Sequence, residues 1–109
     1  MTVGPGLDLP HPWGIVIGGA TIGRNCVLYH NVTIGVRAPH LTHRRPRRPE
    51  LPTIGDDVII YAGAMILGPI TVGDRAIIGA NAMVTQDVPP DTMVGVDAKL
   101  LTRSMPARG

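Results

Sequence analysis

Apolar residues recur every sixth position along most of this chain, from Val16 through Ile22, Leu28 and Ile34, and again from Ile54 through Ile60, Ile66, Val72, Ile78 and Val84. Val3 and Leu9 keep a similar beat ahead of them. A second row falls four places after each beat and is mostly small or branched: Leu7, Trp13, Ala20, Cys26, Val32, Val58, Ala64, Ile70, Ala76, Ala82 and Val88. Glycine often follows the beat directly, as in Ile34-Gly35, Ile54-Gly55 and Ile78-Gly79. Six is not a helical period, and strict alternation would not hold glycine at one phase. The pattern predicts an all-β, single-stranded parallel β-helix of hexapeptide repeats, in which each hexad forms one face of a triangular coil.

Taken as faces, the beats give twelve hexads, or four coils. With strands about 4.8 Å apart the prism is about 20 Å tall. Leu9 to Val16 is seven residues rather than six, which predicts one extra residue at a corner near Gly14. Between Gly35 and Thr53 the beat stops, and VRAPHLTHRRPRRPELP carries four prolines and five arginines. Proline removes ladder donors and the charges cannot pack, so residues 36–53 are expected to be an extruded loop. After Val88 the text PPDTMVGVDAKLL breaks the repeat. The β-helix is therefore placed at 1–95, with a cap and tail at 96–109 covering the upper end. No cap is evident below Val3.

Composition sharpens this picture. Hydrophobic residues make up 44% of the chain but aromatics only 3%, with no Phe, so the core must be thin layers of Ile, Val, Leu and Ala. At 109 residues the chain holds one small domain that buries a limited share of its surface, which favours oligomerisation. No membrane span or secretory leader is evident, and a cytoplasmic protein is expected. The lone Cys26 sits in the inward row and is read as core. A net charge of +2 argues against a whole-surface nucleic-acid binder, and no nucleic-acid partner is expected, with RRPRRP in the loop as the one alternative contact. The basic charge is concentrated in the loop, where Arg44, Arg45, Arg47 and Arg48 suit either coenzyme phosphates or solvent.

The third residue of each hexad points outward. His11 stands two places after Leu9 and His30 two after Leu28, nineteen residues apart, so the two imidazoles are expected on one face, one strand apart. The same column continues through Ala62 and Ala80, giving a reactive end and a smooth track. A prism has no concavity of its own. A homotrimer with three clefts between subunits is therefore expected.

The run VGPGLDLPHPWGIVIGGATIGRNCVLYHNVTIG, and then PTIGDDVIIYAGAMILGPITVGDRAIIGANAMVTQDVPPDTMVGVDAKLL, resembles the catalytic domain of the serine acetyltransferases over about 80% of the chain. The resemblance implies a left-handed β-helix, a trimer, and acetyl-CoA as co-substrate for acetylating the hydroxyl of serine or a related small acceptor. It places the family's catalytic histidine on His11 and the coenzyme arm along Ala62 and Ala80, with Gly63 and Gly79 beside them and Gly35 and Arg37 at the loop base. His30 is the second catalytic candidate.

Departures from the family pattern matter as well. The family's aspartate that orients the histidine would fall before Met1, and a short form without the family's helical N-terminal domain is expected. Pro10 stands where an aspartate is expected, Glu50-Leu51 where an Arg-His pair helps hold serine, and Gly19 at an acidic position. Asp8 is the remaining carboxylate near His11, although its odd offset on a strand points it elsewhere. Similar short enzymes acetylate sugar hydroxyls, which is the alternative acceptor class.

A neutral imidazole can take the hydroxyl proton as the ester bond forms, worth roughly 10²- to 10⁴-fold. His30 could bind the acceptor, act as base, or face a neighbouring subunit. Trp13 is read as a core or corner residue, and Tyr29 and Tyr61 as interface side chains. The competing reading is a γ-carbonic-anhydrase-like zinc lyase, with His40 or His43 joining His11 and His30. Ligands in a Pro/Arg-rich loop are poorly fixed, and no metal is expected. An inactive assembly module is a third reading.

Overall fold

The computed structural model describes residues 1–37 and 50–96. The expected cap and tail, His40, His43 and the arginines from Arg44 to Arg48 lie outside the described residues, as does most of the expected loop.

Twelve short strands wind into three parallel sheets that form the faces of a left-handed prism. Face one stacks β1 (Thr2–Val3), β3 (Thr21–Ile22), β6 (Thr53–Ile54) and β9 (Thr71–Val72). Face two stacks β4 (Val27–Leu28), β7 (Ile59–Ile60), β10 (Ile77–Ile78) and β12 (Met93–Val94). Face three stacks β2 (Val16–Ile17), β5 (Thr33–Gly35), β8 (Met65–Leu67) and β11 (Met83–Val84). The insertion between β5 and β6 leaves the face order intact, because Ile22 still pairs with Ile54 and Leu28 with Ile60. The repeat predicted from the sixfold beat is thus the fold.

Both apolar rows turn inward and form one core, with Leu28, Ile34, Ile60, Ile66 and Ile78 fully enclosed and Ala64, Ala76 and Ala82 filling the narrow places between them. Cys26 belongs to this core. Its Sγ donates to the Gly55 carbonyl at 3.1 Å, and burial pushes its thiol pKa up.

Corners are made by residues in the left-handed region. Asn25, Asp57, Arg75 and Asp91 continue the column begun by Gly6 between faces one and two, and Gly14, Asn31, Gly63 and Asn81 stack between faces two and three. Asn and Asp tolerate this conformation better than other side chains because their short polar groups bond locally. At Gly63 the side chain must be absent for a second reason: a Cβ there would occupy the place of the Asn81 amide oxygen.

Two stretches depart from the sequence reading. In the first coil Ile17, not Val16, pairs with Ile34, and Val16 points out with more than half its surface exposed. Ile15 accordingly packs against the core in the place expected for Trp13, which is 66% exposed. Two extra residues, rather than one, therefore sit between Leu9 and Gly14. At the other end the regular count of six breaks after Val88, yet the winding goes on within the expected bound of residue 95. Val88 pairs with Val72 and Met93-Val94 with Ile77-Ile78, so the winding continues after two residues are dropped at one corner.

Candidate functional site

The corner between faces two and three gathers most of the residues singled out from the sequence. Its backbone is a ladder: Asn31 donates its N–H to the Trp13 carbonyl at 2.8 Å, Gly63 to that of His30 at 3.1 Å, and Asn81 to that of Ala62 at 2.9 Å. His30, Ala62 and Ala80 therefore form the expected column. By the same ladder the residue beneath His30 is Trp13, not His11. His11 and Pro12 are the inserted pair, and the Trp13 N–H closes back onto the His11 carbonyl at 2.8 Å around Pro12, whose fixed φ suits so tight a turn.

Although His11 leaves the column, its ring returns to it. The His11 and His30 rings meet edge to face at 5.7 Å and 74°, and His11 also lies 5.7 Å from the Trp13 ring and 6.2 Å from Tyr29. Tyr29 stacks on Tyr61 at 5.1 Å, so an aromatic strip climbs the corner as far as Gly79, where side chains end. Tyr29 and Tyr61, expected from the sequence as interface side chains, thus belong to a strip that the hexad count alone does not predict. Its signal was there in the shared offset of Tyr29 and Tyr61, each directly after a beat.

The two imidazoles have different surroundings. His11 is exposed. His30 is half-buried, and its Nδ1 is enclosed with no hydrogen-bond partner among the described residues. The enclosed Nδ1 makes His30 the less accessible imidazole, whereas the His11 ring is open to water and substrate. Asp8 pairs through its backbone with Val27, and among the described residues its carboxylate bonds to neither ring.

Ala62, Gly63, Gly79 and Ala80 lie on this same corner. Gly35 and Arg37 do not: they follow face three, next to Gly18 and Gly68, at the root of the insertion. Gly19 also lies there, and a Cβ on it would stand 3.0 Å from the Leu51 side chain. Of the positions that the resemblance links to acceptor binding, Gly19 and Leu51 thus meet and carry no charge, while Glu50 beside Leu51 is acidic. The segments that build the histidine corner, 9–23, 27–36, 59–72 and 76–86, contain no Asp, Glu, Lys or Arg. A cavity of about 230 Å³ lined by Met83, Gln86, Asp87, Pro89, Thr92 and Val94 lies at the upper end and includes neither histidine. Among the described residues no group of three His, Cys, Asp or Glu is placed to hold a metal.

A stack of hexapeptide coils with a histidine-bearing corner defines a class, and residues 52–86 match the family of bacterial transferase hexapeptide (six repeats). The chain is 40% identical to a serine acetyltransferase of Mycobacterium tuberculosis over 109 residues, covering 98% of this chain and 45% of that one. Among solved structures it resembles a Neisseria gonorrhoeae serine acetyltransferase in complex with serine, at a TM-score of 0.74 and 41% identity, covering 91% of this chain and 39% of that one. It also resembles a serine acetyltransferase in complex with CoA, at a TM-score of 0.72 and 35% identity, covering 90% and 38%. The chain is a serine acetyltransferase-like hexapeptide-repeat protein, and it spans about half the length or less of these relatives.

Proposed function

We propose that the chain is an acetyl-CoA-dependent O-acetyltransferase that acylates the hydroxyl of serine or a related small acceptor. The observation that carries the reading is the corner itself: two imidazoles in contact at one end, then a column of methyl-sized side chains at Ala62 and Ala80 along which a pantetheine arm can lie. The relatives solved with serine and with CoA support both halves of the reaction.

In this reading His11 is the general base. As the acceptor oxygen attacks the thioester carbonyl, His11 takes its proton; the tetrahedral intermediate collapses by breaking the C–S bond, and the imidazolium returns the proton to the departing thiolate. His30, whose ring meets that of His11 edge to face, lines the same corner beside the acceptor. Binding both substrates at one corner supplies proximity that neither imidazole provides alone.

One prism offers a ridge rather than a cleft, and the outer faces support a homotrimer that makes one. Outward positions on face one are the threonines Thr2, Thr21, Thr53 and Thr71, whereas face two presents Val27, Ile59, Ile77 and Met93, and face three Val16, Thr33, Met65 and Met83. A closed ring needs two different complementary patches on each subunit, and faces two and three provide them on either side of the histidine corner. We place the protein in the cytoplasm, a setting that suits an unpaired thiol at Cys26.

The test is release of free thiol from acetyl-CoA by the purified chain, with and without serine, homoserine and other small hydroxyl compounds. Acceptor-dependent release supports the reading. Absence of release with every acceptor, in protein shown to be folded and trimeric, overturns it.

A further inference from the structure

We propose that Trp13 is the platform on which the acceptor lies, and that the acceptor presents a flat, uncharged C–H face of the kind a pyranoside ring offers. The inference rests on the acetyl-transfer reading of the corner and adds a residue and a substrate class to it.

Trp13 is 66% exposed, while the pyrrolidine turn before it and the Asn31 N–H bonded to its carbonyl hold its backbone in place. A large exposed apolar side chain fixed beside a candidate base is the informative kind of exposure. Its ring lies 5.7 Å from that of His11, so a molecule lying on the indole brings a ring hydroxyl within reach of the imidazole. The electron-rich face of an indole attracts the weakly positive C–H groups of a saccharide ring.

Charge argues in the same direction. A zwitterionic acceptor leaving water needs a cation for its carboxylate and an anion for its ammonium. The four segments that build this corner supply neither; the charged residues Arg37 and Glu50 belong to the root of the insertion, where Gly19 is capped by Leu51. The adenine of the coenzyme does not compete for the platform, because the length of the pantetheine arm separates it from the thioester that must reach His11.

Trp13 is the only tryptophan, so its emission reports directly on the platform. The full chain is titrated with methyl β-glucopyranoside, methyl β-galactopyranoside, serine and CoA, without acetyl-CoA present. A saturable emission change with a glycoside and none with serine or CoA is the expected result. A change with serine or CoA alone overturns the proposal, as does a change that follows only dilution of the protein, which would make Trp13 a subunit contact. With acetyl-CoA present, Trp13→Ala is expected to raise the Michaelis constant for the glycoside about tenfold while leaving that for acetyl-CoA unchanged, with Trp13→Phe recovering part of the loss. If serine is acetylated and glycosides are not, the proposal fails and acetyl transfer stands; if no acceptor draws thiol from acetyl-CoA, the underlying reading fails, and the emission titration still decides what the indole binds.

Discussion

The backbone N–H of Asn31 donates to the carbonyl of Trp13 at 2.8 Å, the same rung that Gly63 makes to His30 and Asn81 to Ala62. This bond sets the geometry of the corner. It puts the indole in the column beneath His30 and forces His11 and Pro12 out as an insertion, from which the His11 ring reaches back over both neighbours.

The ladder makes its glycines sensitive. Gly63 sits at φ +75°, and Asn81 Oδ1 fills the space a Cβ would need. Gly63→Ala is expected to cost at least about 2 kcal/mol, of which roughly 1–2 kcal/mol is the left-handed conformation itself. In an Asn81→Gly background, which keeps that corner free to adopt φ +61°, the overlap disappears and only the conformational part should remain. Urea unfolding of the four proteins measures the difference, and equal losses in both backgrounds would contradict the steric account.

One ion pair bridges successive coils at another corner. Arg75 Nε donates to Asp91 Oδ1 at 2.6 Å and a terminal nitrogen of Arg75 donates to Asp91 Oδ2 at 3.1 Å. The hydrogen bond and charge of Arg75 hold the Asp91 carboxyl below its usual 3.8. Because the folded value is the lower one, the stabilisation is whole above the unfolded pKa and is lost as pH falls through the folded value. Arg75→Gln, which keeps a β-carbon at the same corner, should melt slightly earlier than the parent at pH 7, and the gap should close towards about pH 2 and in high salt. A gap that widens in acid would reverse the sign.

If faces two and three meet around a threefold axis, a charge on face two should separate the subunits. Ile77→Glu is expected to reduce the mass in solution from about three times the 11.5 kDa protomer to one. Thr53→Glu, on the threonine face, should leave the mass unchanged. Dissociation by the face-one substitution, with none by Ile77→Glu, would place the interface elsewhere.

Much of this was readable from the chain because a hexad repeat fixes burial and face together: residues such as Ile60, Ala64 and Ile66 have one place to go. The first coil was misread at Val16-Ile17, two adjacent branched residues that fit the inward site equally well on hydrophobicity. The deciding signal was Gly18, since Ile17-Gly18 repeats Ile34-Gly35, and Gly14 stands as far before Ile17 as Asn31 does before Ile34. That single shift turned Trp13 inward on paper and hid its exposure. The place of Val88 in the repeat is hidden for a similar reason, because Val88 serves as a beat only after a shortened corner, and no glycine marks it. His11 and His30 are not stacked one strand apart as expected; their rings meet by a side-chain reach across an insertion that no count of sixes contains.

The most direct test compares acetyl-CoA turnover in His11→Ala and His30→Ala, each verified to be folded and of parent mass. With His11 as base, His11→Ala should lose at least about 10²-fold in turnover without loss of coenzyme affinity, and His30→Ala should lose less. Retention of turnover by His11→Ala, with loss in His30→Ala, would contradict the assignment.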